Sequence, residues 1–126
     1  MPPLLLIGVI LFSVAMVFYT WGVFSERRAR RLMPKHVGLF ACGVAVDSIA
    51  TVLTYVVIGG LVFTPHAIMG FLSLILMAIH FIWAIFALKG GREQTLTNFH
   101  KLSLLVWTIW MISYLSGFVL GLARVL

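Results

Sequence analysis

Four long hydrophobic runs constrain this chain more than any other feature of its sequence. We place helices at about residues 3–24, 37–62, 65–88 and 100–123. At about 1.5 Å per residue, each run can cross a hydrocarbon core of about 30 Å. Of the 126 residues, 63% are hydrophobic and 10% are charged, and the mean hydropathy is +1.16, which is outside the range of a soluble domain of this size. We therefore predict an all-α integral membrane protein with a single transmembrane domain over residues 1–126.

The basic residues predict how these helices are oriented. They concentrate in two connections, 25–36 and 89–101. Because cytoplasmic loops are enriched in Lys and Arg, we place both connections in the cytoplasm and both termini outside the cell membrane. The remaining connection, 59–65, is uncharged and has room only for a tight turn. Short connections favour sequential antiparallel neighbours, so we expect an up-down-up-down four-helix bundle. The loops also account for the net charge of +6, so nucleic acid is not an expected partner.

Polar and small residues recur on each predicted helix at the alternating spacing of four and three that is typical of packed helices. The third helix has His66, Gly70, Ser73, Met77, His80 and Ala84. The second helix has His36, Phe40, Gly43, Asp47, Ala50 and Thr54. The first has Val9, Ser13, Met16, Thr20 and Val23. The fourth has His100, Ser103, Trp107, Trp110, Tyr114, Gly117 and Gly121. Membrane helices point such stripes inward, so the four histidines and Asp47 should face one interior.

Asp47 and His80 are predicted to lie at one depth near the middle of the bilayer. A carboxylate at this depth costs at least about 2.5 kcal/mol, so Asp47 requires a partner. In one interpretation His80 donates a hydrogen bond to Asp47, which would orient the imidazole for metal binding. In the other, Asp47 bonds Ser13, Thr20 or Thr108 and only joins helices. The sequence leaves both alternatives open.

The predicted surroundings of His80 favour a cofactor. Met16 is expected at the same depth, and Gly43 and Gly70 are expected to leave space beside the imidazole. A ligand role for His80 follows. If no histidine reaches its level, then Met16, Met111 or water would supply the remaining ligand.

The other histidines are predicted at the two ends of the bundle. His36 and His100 fall at the cytoplasmic ends of diagonal helices, about 13 to 15 Å from His80 along the axis. Two imidazoles at matching depths can hold one metal. His66 lies near the outer end, where no second histidine is expected. Membrane cytochromes b use a spacing like that of His66 and His80 to hold two stacked hemes on one helix. Because the second outer histidine is missing here, two hemes are not predicted, whereas one heme is allowed.

Five short motifs spread over most of the chain carry a family resemblance. They are Phe18-Tyr19-Thr20-x-Gly22-Val23-x-Ser25-Glu26, His36 with Asp47-Ser48-Ile49-Ala50-Thr51, His66-x-x-x-Gly70, Leu76-Met77-x-x-His80-x-x-Trp83-Ala84 and His100-Lys101-x-Ser103-x-x-x-Trp107-x-x-Trp110. In combination they resemble the HsmA-type family of small heme-binding membrane proteins. The chain departs from the family pattern at Ala50 and Ala67, where Gly is usual. The resemblance implies one b-type heme held by the bundle, and a role in heme handling, heme homeostasis or membrane electron transfer.

The predicted site lies in the cytoplasmic half of the bundle, where bulky aromatic residues would flank a flat cofactor. Lys35 and Lys101 could meet acidic substituents such as heme propionates. The candidate cofactor-binding residues are His80, His100, His36, Asp47, Met16, Trp107, Lys101, Lys35 and His66. The candidate iron ligands among them are His80, His100 and His36.

Two other function classes compete with heme binding. Asp47 and His80 could carry protons through a polar interior, as in a small proton-relay or transport protein. The polar stripes could instead meet a partner in an assembly. The sequence contains no nucleophile, base and acid set, so a classical enzyme is not expected, although a redox electron carrier is. The expected partners are the lipid bilayer, heme and a membrane redox partner or quinone, and a homo-oligomer is allowed.

Overall fold

The computed structural model describes residues 3–59 and 65–125, and side chains at 6–57, 59 and 65–120. These residues form four helices: α1 Pro3–Ala29, α2 Pro34–Ile58, α3 Pro65–Gly90 and α4 Glu93–Val125. Proline starts the first three helices, because its missing N–H would be unpaired there anyway. α1 runs past residue 24 and α4 starts before residue 100, so much of both predicted basic loops is helical. Of the predicted turn, residues 60–64 lie outside the described part of the chain.

All four helices are long and apolar enough to cross a membrane. The qualifying segments are Leu6–Ala29, Pro34–Val57, Pro65–Gly90 and Glu93–Leu120. Large apolar side chains cover the outer faces, including Val17, Val56, Ile79 and Val119. The predicted all-helical fold with four candidate spans is confirmed, and it is consistent with a multi-pass membrane protein.

Each helix packs on two neighbours. α1 contacts α2 most extensively and α3 contacts α4, while the α2–α3 and α1–α4 contacts close the bundle. Glycines permit close approach within the α1–α2 pair. A Cβ at Gly22 would lie 2.7 Å from the Phe40 ring, and one at Gly8 would lie 3.3 Å from the hydroxyl of Thr54.

Both basic connections lie at one end of the bundle, which we call the basic end. The Leu32 N–H donates to the carbonyl of Leu96 at 3.1 Å, so the α1–α2 connection is hydrogen-bonded to the first turn of α4. Arg31 and Glu93 form an ion pair across the same junction. The two connections therefore lie at the same end of the bundle.

The predicted inward stripes match the structure on two helices and are displaced on the other two. On α2 and α3 the predicted positions are buried at His36, Phe40, Gly43, Asp47, Ala50, Ser73, Met77, His80 and Ala84. On α1 Val23 is buried as predicted, whereas most of the buried stripe falls one residue earlier, at Gly8, Ala15, Tyr19, Gly22 and Glu26. On α4 Ser103 and Trp110 are buried as predicted, and the rest of the buried stripe is Leu96, Phe99, Val106 and Ser113. The predicted position Gly121 lies outside the described side chains. Predicted α1 and α4 positions such as Ser13 and Trp107 are only half-buried, because they line the seam between these two helices.

Candidate functional site

Four buried polar side chains, one from each helix, lie near the basic end. They are Glu26 of α1, His36 of α2, His80 of α3 and Ser103 of α4, and none exposes more than 1% of its surface. We call this set the polar node. Aliphatic and aromatic residues enclose it: Val23, Leu32, Phe40, Ala84, Leu96 and Phe99. Buried polar groups without partners are costly in such surroundings, so their hydrogen bonds decide what the node can do.

Ser103 joins the acid to the imidazole. Its Oγ donates to Oε1 of Glu26 at 2.6 Å and lies 2.7 Å from Nε2 of His80. A hydroxyl has one hydrogen, so the Oγ that donates to Glu26 accepts the second bond. His80 then carries its hydrogen on Nε2, and its Nδ1 is a bare lone pair.

Among the described residues, three buried atoms of the polar node have no hydrogen-bond partner. They are Oε2 of Glu26, Nε2 of His36 and Nδ1 of His80. The rings of Phe40 and Phe99 wall His80, with centroids 4.6 and 5.1 Å from its own. The node thus combines free hydrogen-bonding capacity with an apolar enclosure.

His36 presents a hydrogen-bond donor to the interior. Its Nδ1 accepts the Met33 N–H at 3.0 Å, so the neutral ring carries its hydrogen on Nε2. Gly22 of α1 faces Phe40 of α2. Glu26 and His36 each lie one helical turn closer to the basic end than these residues, so they are at the same level. His36 is therefore better suited to donate to a carboxylate than to bind a metal.

Asp47 belongs to a separate group of residues. Its Oδ2 accepts hydrogen bonds from the Tyr19 hydroxyl and from Nε1 of Trp110, both at 2.9 Å. We call Tyr19, Asp47 and Trp110 the aspartate cluster. The Tyr19 and Trp110 rings also meet edge to face, with centroids 5.0 Å apart. Each of these residues comes from a different helix, so the cluster joins α1, α2 and α4.

Neither predicted set of Asp47 partners is found. His80 bonds Ser103 instead, about two turns closer to the basic end than Trp110, which bonds Asp47. The three hydroxyls considered for Asp47 have other partners. Ser13 pairs with Tyr114, Thr20 accepts from Trp107 and Thr108 donates to the Leu104 carbonyl.

The space expected beside Gly43 is filled by the protein itself. A Cβ at Gly43 would lie 2.4 Å from Cδ1 and Cε1 of Tyr19, so the glycine accommodates this ring. At Gly70 the nearest atom is the Ser113 hydroxyl, 3.7 Å away. The space expected at Gly43 is therefore occupied by Tyr19.

His100 lies closer in depth to His80 than the sequence suggested. His80 contacts Phe99 and Ser103, and His100 lies between these two residues along α4. The depth differs from the prediction because α4 begins at Glu93 and not near residue 100. Nδ1 of His100 donates to the Thr97 carbonyl at 2.8 Å, so Nε2 of its neutral ring is a bare lone pair. The half-buried His100 has the right chemistry for a metal ligand.

His66 lies at the opposite end. Its Nδ1 is 3.0 Å from the Ser116 hydroxyl, which itself donates to Ser113. The ring lies against Gly117, where a Cβ would be 2.7 Å from Nε2. The ring thus packs between Ser116 and Gly117 at the end away from His80, and His66 stands apart as expected.

The remaining predicted residues lie at the surface or along the α1–α4 seam. Lys35 and Lys101 are exposed near the basic end. The half-buried Met16 lines a groove of about 550 Å³ on α1 that ends at Arg28. Trp107 adjoins this groove, because it bonds Thr20 at 3.0 Å. These residues do not touch His80 in any described contact.

Sequence reasoning missed Glu26 and the linking role of Ser103. Glu26 was placed in a basic loop because the hydrophobic run ends at residue 24, although α1 continues to Ala29. The signal was the spacing of Ala15, Tyr19, Gly22 and Glu26, which follows the same rhythm as the other stripes.

Within residues 3–59 and 65–125, no three His, Cys, Asp or Glu side chains are grouped so that they could hold a metal ion. A heme iron needs only one or two protein ligands, and the bare nitrogens of His80 and His100 suit it chemically. No family model, curated protein or solved structure matches the chain.

Proposed function

We propose that the chain is a multi-pass protein of the cell membrane, arranged as an up-down-up-down bundle. The contacts of Gly8 with Thr54 and of Gly22 with Phe40 support opposite directions for α1 and α2. The outer apolar faces would meet lipid. The basic end would face the cytoplasm, because Lys and Arg are retained on that side, and both termini would lie outside.

Within this bundle we propose one heme b, bound at the basic end through His80. The observation that carries this proposal is a fully buried imidazole with a nitrogen that has no protein partner. His100 is the preferred second ligand because its Nε2 is a bare lone pair at a similar depth. His36 is less suited, since its Nε2 carries hydrogen when Nδ1 accepts from Met33.

The resemblance to the HsmA-type family supports the same proposal, and membership of that family is part of it. When bound, heme supplies reversible one-electron chemistry whose potential depends on ligands and burial. The rings of Phe40 and Phe99 would keep water away from the iron. Lys35 and Lys101 could neutralise the heme propionates. The physiological role would be heme handling or electron exchange with a membrane redox partner or quinone.

Absorption spectroscopy tests this function directly. Hemin added to the purified full chain in detergent should give a Soret band that saturates at one equivalent. His80→Ala should weaken binding at least tenfold, about 1.4 kcal/mol, because it removes the buried ligand. His66→Ala is the matched control and should bind as the wild type does.

Two results would count against heme binding at this site. One is the absence of a Soret band, and the other is an unchanged spectrum in His80→Ala. If heme binds through His80, a comparison of His100→Ala with His36→Ala identifies the second ligand. We expect the larger spectral change for His100→Ala.

A second candidate function is a proton relay, which the chain of hydrogen bonds from Glu26 through Ser103 to His80 favours. These contacts support Glu26 in place of Asp47 as the acid of such a relay. Proton flux into proteoliposomes containing heme-free protein should then be lost in Glu26→Gln and retained in Asp47→Asn. The reverse pattern would return the role to Asp47.

A further inference from the structure

The hydrogen bonds of the polar node have a direction. Ser103 donates to Oε1 of Glu26, and the ionised form of this acid can only accept. The same hydroxyl must then accept from His80, whose Nε2 lies 2.7 Å away. The acid therefore determines, through the serine, which imidazole nitrogen carries the hydrogen.

No other described contact competes for this choice. Nδ1 of His80 has no protein partner, and the ring otherwise meets Phe40 and Phe99. Asp47 is engaged by Tyr19 and Trp110. An imidazole with a single polar contact takes the tautomer that this contact requires.

We propose that Glu26 is a positioning residue that acts through Ser103 to hold His80 in its Nε2–H form. Nδ1 is then the nitrogen that His80 offers to a ligand. This proposal deepens the proposed function. It rests on that function only for the identity of the ligand that Nδ1 binds. A ligand approaching Nε2 would first have to break the bond to Ser103 or turn the ring over.

The proposal also explains why a carboxylate is buried at this position. Partners of this kind fix ring orientation and increase the basicity of the other nitrogen, as they do for metal-bound histidines. A structural acid would be surrounded by matching donors, whereas Oε2 of Glu26 has no protein partner. Glu26 therefore acts on His80 and contributes little to joining helices.

Nitrogen NMR on the full chain labelled with ¹⁵N-histidine, in lipid nanodiscs and without heme, tests the tautomer. Long-range ¹H–¹⁵N correlations distinguish a protonated nitrogen from a bare one, and His80→Gln assigns the ring by loss of its signals. We expect His80 to show a protonated Nε2 and a bare Nδ1. A wild-type protein with hydrogen on Nδ1 of His80 overturns the proposal, whichever variants fold.

Variants at Glu26 test the origin of the effect. Glu26→Leu removes the acceptor and frees the Ser103 hydroxyl to donate to His80, so hydrogen should move to Nδ1. Glu26→Gln keeps an amide oxygen that accepts from Ser103, and should restore the wild-type signals. Asp47→Asn is the control and should leave the His80 signals in place.

The signals of His66 and His100 show whether each variant retains its fold. If His80 keeps its Nε2–H form in folded Glu26→Leu, the acid does not set the tautomer and the proposal is wrong. All these spectra are recorded without heme. A failure of heme binding therefore leaves this result unaffected, and a wrong tautomer leaves the absorption test unaffected.

Discussion

The two buried carboxylates of this protein have opposite surroundings. Asp47 receives two hydrogen bonds on one oxygen, and neither of its oxygens is among the buried atoms without a partner. Glu26 accepts a single bond from Ser103, and its second oxygen has no protein partner. Burial alone would rank the two acids together. The matching of donors to acceptors separates an acid that joins helices from one that remains available for chemistry.

The two histidines of the polar node strengthen this contrast. The aspartate cluster contains aromatic donors that also pack, so its polar and apolar contacts support each other. In the polar node His80 and His36 each retain an unpartnered nitrogen. Unsatisfied buried groups are rare in native folds, and they are expected where a ligand or water completes the site. The comparison predicts stability effects at the aspartate cluster and functional effects at the polar node.

The largest loss of stability is expected from Tyr19→Ala. The variant removes a fully buried ring and one of the two donors to Asp47. We expect the free energy of unfolding to fall by about 3–5 kcal/mol, the usual cost of truncating a buried aromatic residue. Unfolding by SDS in mixed micelles, followed by circular dichroism, measures it. Tyr55→Ala, at a half-buried ring, should cost clearly less, and equal losses would contradict the central role of the aspartate cluster.

Exchange of each acid for leucine compares the two regions directly. Asp47→Leu leaves the Tyr19 hydroxyl and the Trp110 N–H without their acceptor, so we expect a loss of about 2–3 kcal/mol. Glu26→Leu frees one hydroxyl but also removes an unpartnered oxygen, so the change should stay within about 1 kcal/mol. The same SDS titration compares the variants. A larger loss in Glu26→Leu would reverse the assignment of structural and functional acids.

A methyl group at Gly43 tests the packing beneath Tyr19. Its Cβ would lie 2.4 Å from the ring, which must shift away from Asp47. We expect Gly43→Ala to cost about 1–3 kcal/mol, as overpacking does. Gly38→Ala is the control, because nothing lies within 4 Å of the added atom. Thermal unfolding followed by circular dichroism measures both, and equal melting temperatures would place Tyr19 elsewhere.

The smallest effect is expected at the α1–α4 seam. Trp107→Phe removes the 3.0 Å hydrogen bond to Thr20 and keeps most of the ring. Side-chain hydrogen bonds between membrane helices average about 0.6 kcal/mol, so we expect a loss of that size. Trp83→Phe, at an exposed ring, provides the baseline in the same SDS titration. A loss above about 2 kcal/mol would make the seam as important as the aspartate cluster.

The sequence predicted the four helices and the interior faces of α2 and α3, because histidine, aspartate and glycine in an apolar run leave little choice of which face is buried. It gave the wrong phase for α1, where Ser13 and Thr20 drew the stripe toward the seam. Their hydroxyls are half-buried and pair with Tyr114 and Trp107. The true stripe includes Tyr19, whose polar group lies at the end of a large apolar ring.

The candidate site was less predictable than the fold. The burial of His80 could be predicted from the polar stripe of α3, but its partner could not, because Glu26 follows the hydrophobic run and precedes two arginines. Hydrogen-bond direction is also absent from a sequence. Glu26 and His80 are connected only because the fold brings Ser103 of α4 between them, and the sequence does not show this.

The ring of Phe99 has a consequence for rates. It contacts His80 on one side and lines a groove of about 340 Å³ on the other, together with Trp83, Asn98 and Leu102. Because the ring of Phe99 contacts both, a molecule that approaches the imidazole from this groove would first have to displace it. The side chain would therefore change the rates of arrival and departure together. A smaller residue at position 99 would shorten both times.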